Sequence, residues 1–267
     1  MLPVRPMLRR FSTAPTGFRS LQLPVGASDS SLSALTPTSA ASELPKLLCL
    51  PSTFGSAASD FRLQYTSAQL TRSFALYGID PRAPEQDFGR GRVERDADDV
   101  LRAADALKLE HFSLLGCSHG ANAFVSDEDL EDMEEHADVN TWPKEMREAA
   151  EAKFGAQNLQ DKWAEMLEAL RQVESEDGGD LICGHLPYIK CKTLVVSGGQ
   201  DKFVPSFHGE YLSERIMHSR LEVLAEAGHD LVLSEAERFN TLLETFLKEP
   251  DDKLTQSREF VAVPSKA

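Results

Sequence analysis

The pentapeptide Gly116-Cys117-Ser118-His119-Gly120 is the stretch of this sequence whose residue types best fit a chemical reaction. A serine hydroxyl is a weak nucleophile at neutral pH, so it needs an adjacent base, a group that orients the base and donors for the oxyanion. Glycines on both sides of the serine permit a sharp turn from a strand, which exposes the hydroxyl. The pentapeptide directly follows the apolar run Phe112–Leu115, as such a turn requires. The sequence therefore predicts a nucleophile at Ser118.

Two further residues complete a possible site with this serine. Asp201 follows the apolar run Thr193–Ser197, and His229 follows the run Leu221–Leu224. The carboxyl ends of parallel strands hold the functional groups of α/β sheets, and the chain order serine, acid, histidine fits such a site. We expect His229 to act as the base and Asp201 to orient it. Taken singly, each has an ordinary alternative, a turn aspartate or a surface-loop histidine.

The oxyanion of an acyl-transfer reaction is held by N–H groups, often those of the backbone. We expect one donor to be the N–H of His119, the residue after the nucleophile. The loop after Leu50 is expected to supply the second donor, with Thr53 and Phe54 as the best candidates. Most other histidines lie in polar contexts. Surface positions are expected for His111, His136, His208 and His218.

Composition and charge limit the class of protein. The chain has 267 residues, 41% hydrophobic and 27% charged, which suits one large soluble domain with its own core. A net charge of −15 argues against nucleic-acid binding, because phosphate neutralisation needs patches of lysine and arginine. No apolar run approaches the roughly 20 residues of a membrane span. We expect a monomer that acts on a small-molecule ester and binds neither nucleic acid nor membrane.

The four cysteines give no sign of a metal or cofactor. They form no CxxC pair and no cluster with histidine of the kind that binds zinc. This use of cysteine is typical of a reducing compartment without a disulfide framework. We therefore predict neither a metal site nor a cofactor.

Short apolar runs alternate with helical patterns from residue 43 onward. The runs that fit buried strands are Lys46–Leu50, Ser73–Ile79, Phe112–Leu115, Thr193–Ser197 and Leu221–Leu224. Residues 93–107 and 236–246 repeat apolar side chains with helical spacing. Continuous apolar strands that alternate with helices predict an α/β fold, with a mostly parallel sheet and helices on both faces.

The strand signal disappears in residues 127–185, where Pro143–Phe154 and Leu159–Val173 have helical patterns. We predict that this segment is a helical cap, which divides the core into residues 43–126 and 186–250. Residues 128–135 are densely acidic. A solvated helix face is the expected explanation, and the alternative is that these acids line a ligand entrance.

The two ends of the chain differ from the rest in composition. Residues 1–42 contain four arginines and a single acid, Asp29, and are rich in serine, threonine and alanine. This composition is typical of a mitochondrial targeting segment, and a plain disordered tail is the alternative. In either case we expect residues 1–42 to lie outside the fold. Residues 251–267 are mostly polar and are predicted to form a disordered tail.

Several segments resemble the valacyclovir hydrolase family of α/β-hydrolases, also called the biphenyl hydrolase-like family. Specific matches include Asp80-Pro81-Arg82, Ala121–Asp129 and Gly199–Pro205, and the resemblance extends from about Leu47 to Leu247. The resemblance implies the α/β-hydrolase fold, a mitochondrial protein, and cleavage of α-amino-acid esters without a metal or cofactor.

Carried over by position, the resemblance implies that Ser118 is the nucleophile, Asp201 the acid and His229 the base, in agreement with the assignment above. In the family an acidic residue follows the nucleophile and holds the α-ammonium group of the substrate. Here that position is His119, so the preference for amino esters stays open.

A second departure concerns the fold after the nucleophile. The family has a helix and a further core strand before the segment that matches Ala121-Asn122-Ala123, whereas this chain runs from Gly120 straight into it. We therefore expect a hydrolase fold that lacks this helix and strand. Two functions are weighed: a serine hydrolase that cleaves small carboxylic esters through an acyl-enzyme, with α-amino-acid esters as candidate substrates, and a catalytically impaired or non-catalytic relative, either a truncated isoform or a ligand-binding module.

Overall fold

The computed structural model of the protein describes residues 14–24, 31–38, 43–81, 88, 90–118 and 123–251. Within these ranges the predicted α/β fold is confirmed, because strands and helices alternate and helices cover both faces of a mixed sheet. Among the described residues, none of the helices combines the length and the apolar character that a bilayer crossing needs. Most of the predicted targeting segment's arginines and nearly all of the predicted C-terminal tail, residues 252–267, lie outside the described residues.

The larger sheet has an interior strand that is buried on both faces. Its strands are β1 (Phe18–Pro24), β2 (Ser31–Pro37), β3 (Lys46–Leu50), β4 (Ala75–Asp80) and β5 (Ser113–Gly116), in the spatial order β1-β2-β4-β3-β5. β3 is parallel to both neighbours, with Leu47 opposite Leu76 of β4 and Ser113 of β5. Leu47, Leu48 and Cys49 are 0% exposed, as expected of a continuous apolar run between two partners.

The smaller sheet consists of β6 (Thr193–Gly198) and β7 (Ser219–Leu224), which run parallel with Thr193 opposite Ser219. Within the described residues, no backbone ladder joins β6 to β5. Residues Thr193–Ser197 are only partly buried, and Leu114 of β5 is 55% exposed. The part of the chain that the structure describes has no α-helix or strand between β5 and Asp127. The sheet is therefore divided at this point.

Helices cover the two faces of the larger sheet and form a separate layer above its edge. They are α1 (Ala57–Asp60), α2 (Arg62–Tyr65), α3 (Ala68–Ser73), α4 (Arg90–Ala106), α5 (Asp127–Glu135), α6 (Lys144–Phe154), α7 (Leu159–Asp177), α8 (Phe207–Arg215), α9 (Leu231–Ser234) and α10 (Ala236–Lys248). α4 packs through Val100 and Ala104 against Leu48, whereas Leu47, on the opposite face, shares a cluster with Phe239 of α10. Successive side chains of β3 lie on opposite faces of the sheet, so this strand contributes to the hydrophobic core on each face.

The helices α5 to α7 form an apolar layer that reaches the loop after β3. Trp163 and Leu170 of α7 are buried in one cluster with Trp142 and with Phe54 of that loop. The ring centroids of Phe54 and Trp163 lie 5.5 Å apart. The helices in the predicted cap segment therefore pack directly on the loop that was predicted to supply an oxyanion donor.

The hairpin of β1 and β2 corrects the prediction that residues 1–42 lie outside the fold. The two strands pair antiparallel over seven residues each, and β2 then pairs with β4. Leu32, Ala34 and Leu35 are buried. Serine and threonine suggested disorder, but in β2 they are interspersed with these apolar residues, as in a partly buried strand. The core therefore begins by Phe18 rather than at residue 43.

Candidate active site

Ser118 lies two residues beyond the end of β5, in the turn that the sequence predicts. Its φ is 55°, in the left-handed region, which costs a residue with a Cβ roughly 1–3 kcal/mol and needs support from its surroundings. The N–H of Cys117 donates to the carbonyl of Leu50 at 3.3 Å and extends the pairing of β3 and β5 up to the turn. This strained turn is the backbone geometry that presents a nucleophilic serine.

The structure brings Ser118, His229 and Asp201 together. Ser118 Oγ lies 2.9 Å from His229 Nε2, and His229 Nδ1 lies 3.0 Å from Asp201 Oδ2. Asp201 comes from the loop after β6 and His229 from the loop after β7, so the side chains meet at the carboxyl ends of the strands. An ionised carboxylate only accepts hydrogen bonds. Nδ1 therefore carries the proton, and Nε2 is left to accept the serine proton.

Hydrogen bonds hold Asp201 as an anion. Burial is the largest influence on this carboxyl and acts to raise its pKa. The hydrogen bond and charge of His229, with the N–H groups of Val204 and Phe203, outweigh burial, so the pKa of Asp201 is lowered. Both N–H groups donate to Asp201 Oδ1 at 2.9 Å. Asp201 is thus charged at neutral pH and can stabilise an imidazolium at His229.

A glycine at the end of β6 allows the loops of Asp201 and His229 to approach each other. A Cβ on Gly198 would lie 2.6 Å from the carbonyl oxygens of Ala227 and Gly228, so no side chain fits there. Glycine inside or at the end of a strand often marks such a close backbone approach. A glycine three residues before Asp201, at the end of an apolar run, is the sequence signal that could have indicated this contact.

The loop after β3 has two backbone donors that are not used within the loop. The N–H of Ser52 donates to Asp60 Oδ2 at 2.8 Å, and the N–H of Gly55 donates to Ser52 Oγ at 3.0 Å. The N–H groups of Thr53 and Phe54 have no acceptor among the described residues. These are the two residues that the sequence singled out for the oxyanion. Because β3 is the neighbour of β5, this loop leaves the same edge of the sheet as Ser118.

Lys153 of α6 fixes this loop, and sequence reasoning missed it. Its Nζ donates to the carbonyl oxygens of Thr53 and Gly55, both at 2.9 Å. Burial is the main influence on this ammonium and lowers the pKa of Lys153, while the charge of Asp80 acts in the opposite direction. About a hundred residues separate donor from acceptors in sequence, so no local pattern could have indicated the contact.

Comparisons with known proteins identify the family. No family model matches the chain. The mouse serine hydrolase BPHL is 34% identical over 231 residues, which cover 76% of this chain and 79% of the mouse protein. The chain belongs to the BPHL family of serine hydrolases. The human serine hydrolase BPHL is 32% identical with the same coverage, and the resemblance predicted from the sequence is confirmed.

Solved structures show that this BPHL family member has the α/β-hydrolase fold. The 2-hydroxy-6-oxo-6-phenylhexa-2,4-dienoate hydrolase of Rhodococcus sp. strain RHA1 matches with a TM-score of 0.67 at 17% identity, over 87% of this chain and 100% of that chain. A hydrolase from Pseudomonas aeruginosa matches with a TM-score of 0.61 at 23% identity, over 86% and 98%. The likeness at these identities concerns the fold alone.

Three acids of the helix α5 in this BPHL family member face a surface cavity. The acids Asp127, Glu131 and Glu134 line this cavity of about 760 Å³ together with Glu168 of α7. None of the three hydrogen-bonded residues of the candidate site lines this cavity, so a solvated face explains these acids better than a ligand entrance does. His119, whose N–H is predicted from the sequence to be an oxyanion donor, lies outside the described residues.

Asp129 is the exception in the acidic helix, because it is buried against a histidine. His208 Nε2 of α8 lies 2.7 Å from Asp129 Oδ1, and both side chains are almost fully buried. The prediction that His208 is a surface residue is therefore wrong. Burial acts to raise the pKa of Asp129, but hydrogen bonds from His208 and Ser126 outweigh it and lower the pKa. The pair joins the cap helices to α8, which packs on β6 and β7.

Proposed function

We propose that the protein cleaves small carboxylic esters with Ser118 as the nucleophile, His229 as the general base and Asp201 as the residue that orients the base. The observation that carries this proposal is the continuous hydrogen-bonded chain from Ser118 Oγ through both nitrogens of His229 to Asp201. The left-handed backbone of Ser118 supports it independently. Both features are what nucleophilic catalysis by serine needs.

The reaction follows from this geometry. Ser118 Oγ attacks the ester carbonyl carbon while His229 Nε2 takes the hydroxyl proton. The oxyanion that forms accepts hydrogen bonds from an N–H of the Thr53–Phe54 loop and from the N–H expected at His119. The tetrahedral intermediate expels the alcohol, which takes the proton from His229. A water molecule, deprotonated by His229, then attacks the acyl-enzyme and releases the carboxylic acid and free Ser118.

The substrate class divides into neutral esters and α-amino-acid esters. The family resemblance favours amino esters, but Asp129, the buried acid of α5, is already bonded to His208. Asp129 is therefore not available to bind the ammonium group of a substrate. We propose small neutral esters as the first class of substrate to test. The ratio of kcat/KM for an α-aminoacyl ester to that for the matched acyl ester without the ammonium group measures the preference. A ratio near one supports a site without an ammonium-binding carboxylate, and a large ratio shows that such a group exists.

Labelling with a fluorophosphonate tests the nucleophile. The probe is expected to modify Ser118 in the full-length protein, as located by mass spectrometry, and Ser118→Ala is expected to abolish both labelling and ester turnover. Ser175→Ala, an exposed serine of α7, is the matched control and should leave both unchanged. A folded protein, by circular dichroism and a cooperative thermal transition, whose Ser118 is not labelled overturns the proposal.

A catalytically impaired relative is the second candidate, and the divided sheet is the observation that favours it. β5 carries the nucleophile and yet has a hydrogen-bonded neighbour on one side only within the described chain. Binding of an acyl ester or its product acid by calorimetry, with no turnover and no change in Ser118→Ala, is the outcome that selects this candidate.

We further infer that the protein is mitochondrial and that its targeting segment is removed before Phe18. Cleavage within β1 would break the hairpin that pairs with β4. Amino-terminal sequencing of the mature protein from cells tests this inference. A first residue beyond Phe18, or a cytosolic location, contradicts it.

A further inference from the structure

The carboxylate of Asp60, the last residue of α1, binds the loop after β3 rather than capping its own helix. The start of α1 is capped by Ser56 and Ser59, each of whose side chains accepts the backbone N–H of the other. Asp60 Oδ2 accepts hydrogen bonds from the N–H and the hydroxyl of Ser52, both at 2.8 Å. The hydroxyl of Ser59 donates to the other carboxylate oxygen, Oδ1, at 2.8 Å. Both oxygens of Asp60 are therefore held in place.

Asp60 touches both ends of the segment that carries the backbone donors of Thr53 and Phe54. At one end is Ser52, and at the other is Gly55, whose N–H donates to the hydroxyl of Ser52 at 3.0 Å. A Cβ on Gly55 would lie 2.0 Å from Asp60 Oδ1, so the backbone passes directly against the carboxylate at a point where no side chain fits. Thr53 and Phe54 lie between these two contacts. The position of their N–H groups therefore depends on Asp60.

The same carboxylate also reaches the turn of the nucleophile. The thiol of Cys117, the residue directly before Ser118, donates to Asp60 Oδ2 at 3.8 Å. Burial is the main cause that raises the pKa of Cys117, and the charge of Asp60 adds to it, so the thiol keeps its proton at neutral pH. An S–H group is a weak donor, but the side chain of Cys117 is also packed against the core cluster of Leu47. Its sulfur thus lies beside the oxygen that holds Ser52.

We propose that Asp60 is a positioning residue for ester cleavage, which holds the N–H groups of the Thr53–Phe54 loop at a fixed place relative to Ser118. It hydrogen-bonds the loop through Ser52 and the turn of the nucleophile through Cys117. This inference rests on the proposed function, because oxyanion donors matter only where an acyl group is transferred. A displacement of about 1 Å can cost a factor of about 100 in rate, so a residue that does not touch the substrate can still control kcat.

The kinetics of two variants test the proposal. Asp60→Ala removes all of these contacts, and kcat for a p-nitrophenyl ester is expected to fall about 100-fold at unchanged KM. Asp60→Asn keeps an acceptor oxygen for Ser52 and is expected to restore kcat to about a tenth of the wild-type value. Complete labelling with a fluorophosphonate counts the active sites, so that kcat refers to folded protein only.

Asp138→Ala is the matched control for these variants. It removes an exposed carboxylate that accepts the N–H of Asn140 at 3.0 Å in the turn before α6, and kcat per active site should not change. A loss of kcat below about threefold in Asp60→Ala, or a rise in KM that matches the loss in kcat/KM, overturns the proposal.

A ketone inhibitor separates positioning from a merely structural role. An aryl trifluoromethyl ketone adds to Ser118 Oγ, whose proton passes to His229, and the adduct carries an oxyanion like that of the ester reaction. Its inhibition constant is expected to rise in both Asp60 variants by the same factor by which kcat/KM falls. Loosening of the fold lowers the number of active sites and leaves the inhibition constant unchanged, and this result overturns the proposal.

Amide NMR signals distinguish a failure of this proposal from a failure of the proposed function. In the full-length protein, the N–H signals of Phe54 and Ser118 are expected to move in Asp60→Asn and in Ser52→Ala, but not in Asp138→Ala. Ser52→Ala leaves Asp60 in place and removes only a hydroxyl, so it serves if the Asp60 variants fail to fold. Unmoved signals overturn the proposal whether or not esters are cleaved. Moved signals with an unlabelled Ser118 support the positioning and overturn the proposed function alone.

Discussion

The larger and the smaller sheet differ in how completely their strands are paired. β3 has hydrogen-bonded partners on both sides and residues that are 0% exposed, whereas β6 has one partner and side chains that are only partly buried. The candidate nucleophile is attached to the larger sheet, and the residues proposed to activate it are attached to the smaller one. The candidate site therefore depends on contact between two sheets that share no backbone hydrogen bonds among the described residues.

Asp201→Asn is expected to have the largest effect, because Asp201 is the residue of the smaller sheet that is proposed to orient His229. An asparagine amide can hold His229 in the wrong tautomer, so kcat for a p-nitrophenyl ester should fall about ten thousand-fold. Asp161→Asn, an exposed acid of α7, is the control and should keep full activity. If kcat falls less than tenfold in a folded Asp201→Asn protein, Asp201 does not orient His229 for the reaction at Ser118.

Leucine-to-alanine changes in the two kinds of strand compare the packing directly. Leu48→Ala in β3 should lower the free energy of unfolding by about 2–5 kcal/mol, because it leaves a cavity in a buried strand. Leu114→Ala in β5, at a side chain that is 55% exposed, should change it by no more than about 0.5 kcal/mol. Urea denaturation measures both. Equal losses would mean that Leu114 is covered in solution.

Asp129→Asn tests the link between the cap and the smaller sheet through its pH dependence. The pKa of Asp129 is lowered by folding, so its contribution to stability is complete above the unfolded value of about 3.9 and is lost as pH falls through the folded value. The variant should be about 1–3 kcal/mol less stable at pH 7, and this difference should shrink below about pH 4. Denaturation at several pH values measures it, with Glu131→Gln as the control. A difference that is constant from pH 3 to 7 would contradict the assignment.

Lys153→Met should have the smallest effect, since Lys153 only positions the loop of the larger sheet. Misplaced oxyanion donors act on the transition state, so kcat is expected to fall about tenfold while KM stays the same. Lys144→Met, an exposed lysine of the same helix, is the matched control. A rise in KM at unchanged kcat would assign Lys153 to substrate binding instead.

The sequence predicts those features that depend on local patterns. The buried strands, the long helices and the chain order of Ser118, Asp201 and His229 follow from apolar runs and the residues at their ends. The β1–β2 hairpin was missed because its serines and threonines resemble a disordered tail until pairing with β4 is known. The burial of His208 and the role of Lys153 were missed because their partners lie about 80 and about 100 residues away in sequence.

The end of the cap helix α7 has a practical consequence. Gly178 follows its last residue, Asp177, with a φ of 60°, and a Cβ placed on this glycine would have no neighbour within 4 Å. Opening the chain here leaves Ser118 on one fragment and Asp201 with His229 on the other. Neither fragment alone carries all three residues of the proposed reaction, so any turnover would return only when the two reassociate. Fused to two proteins of interest, the fragments would make a reporter whose colour develops only while those proteins are bound to each other.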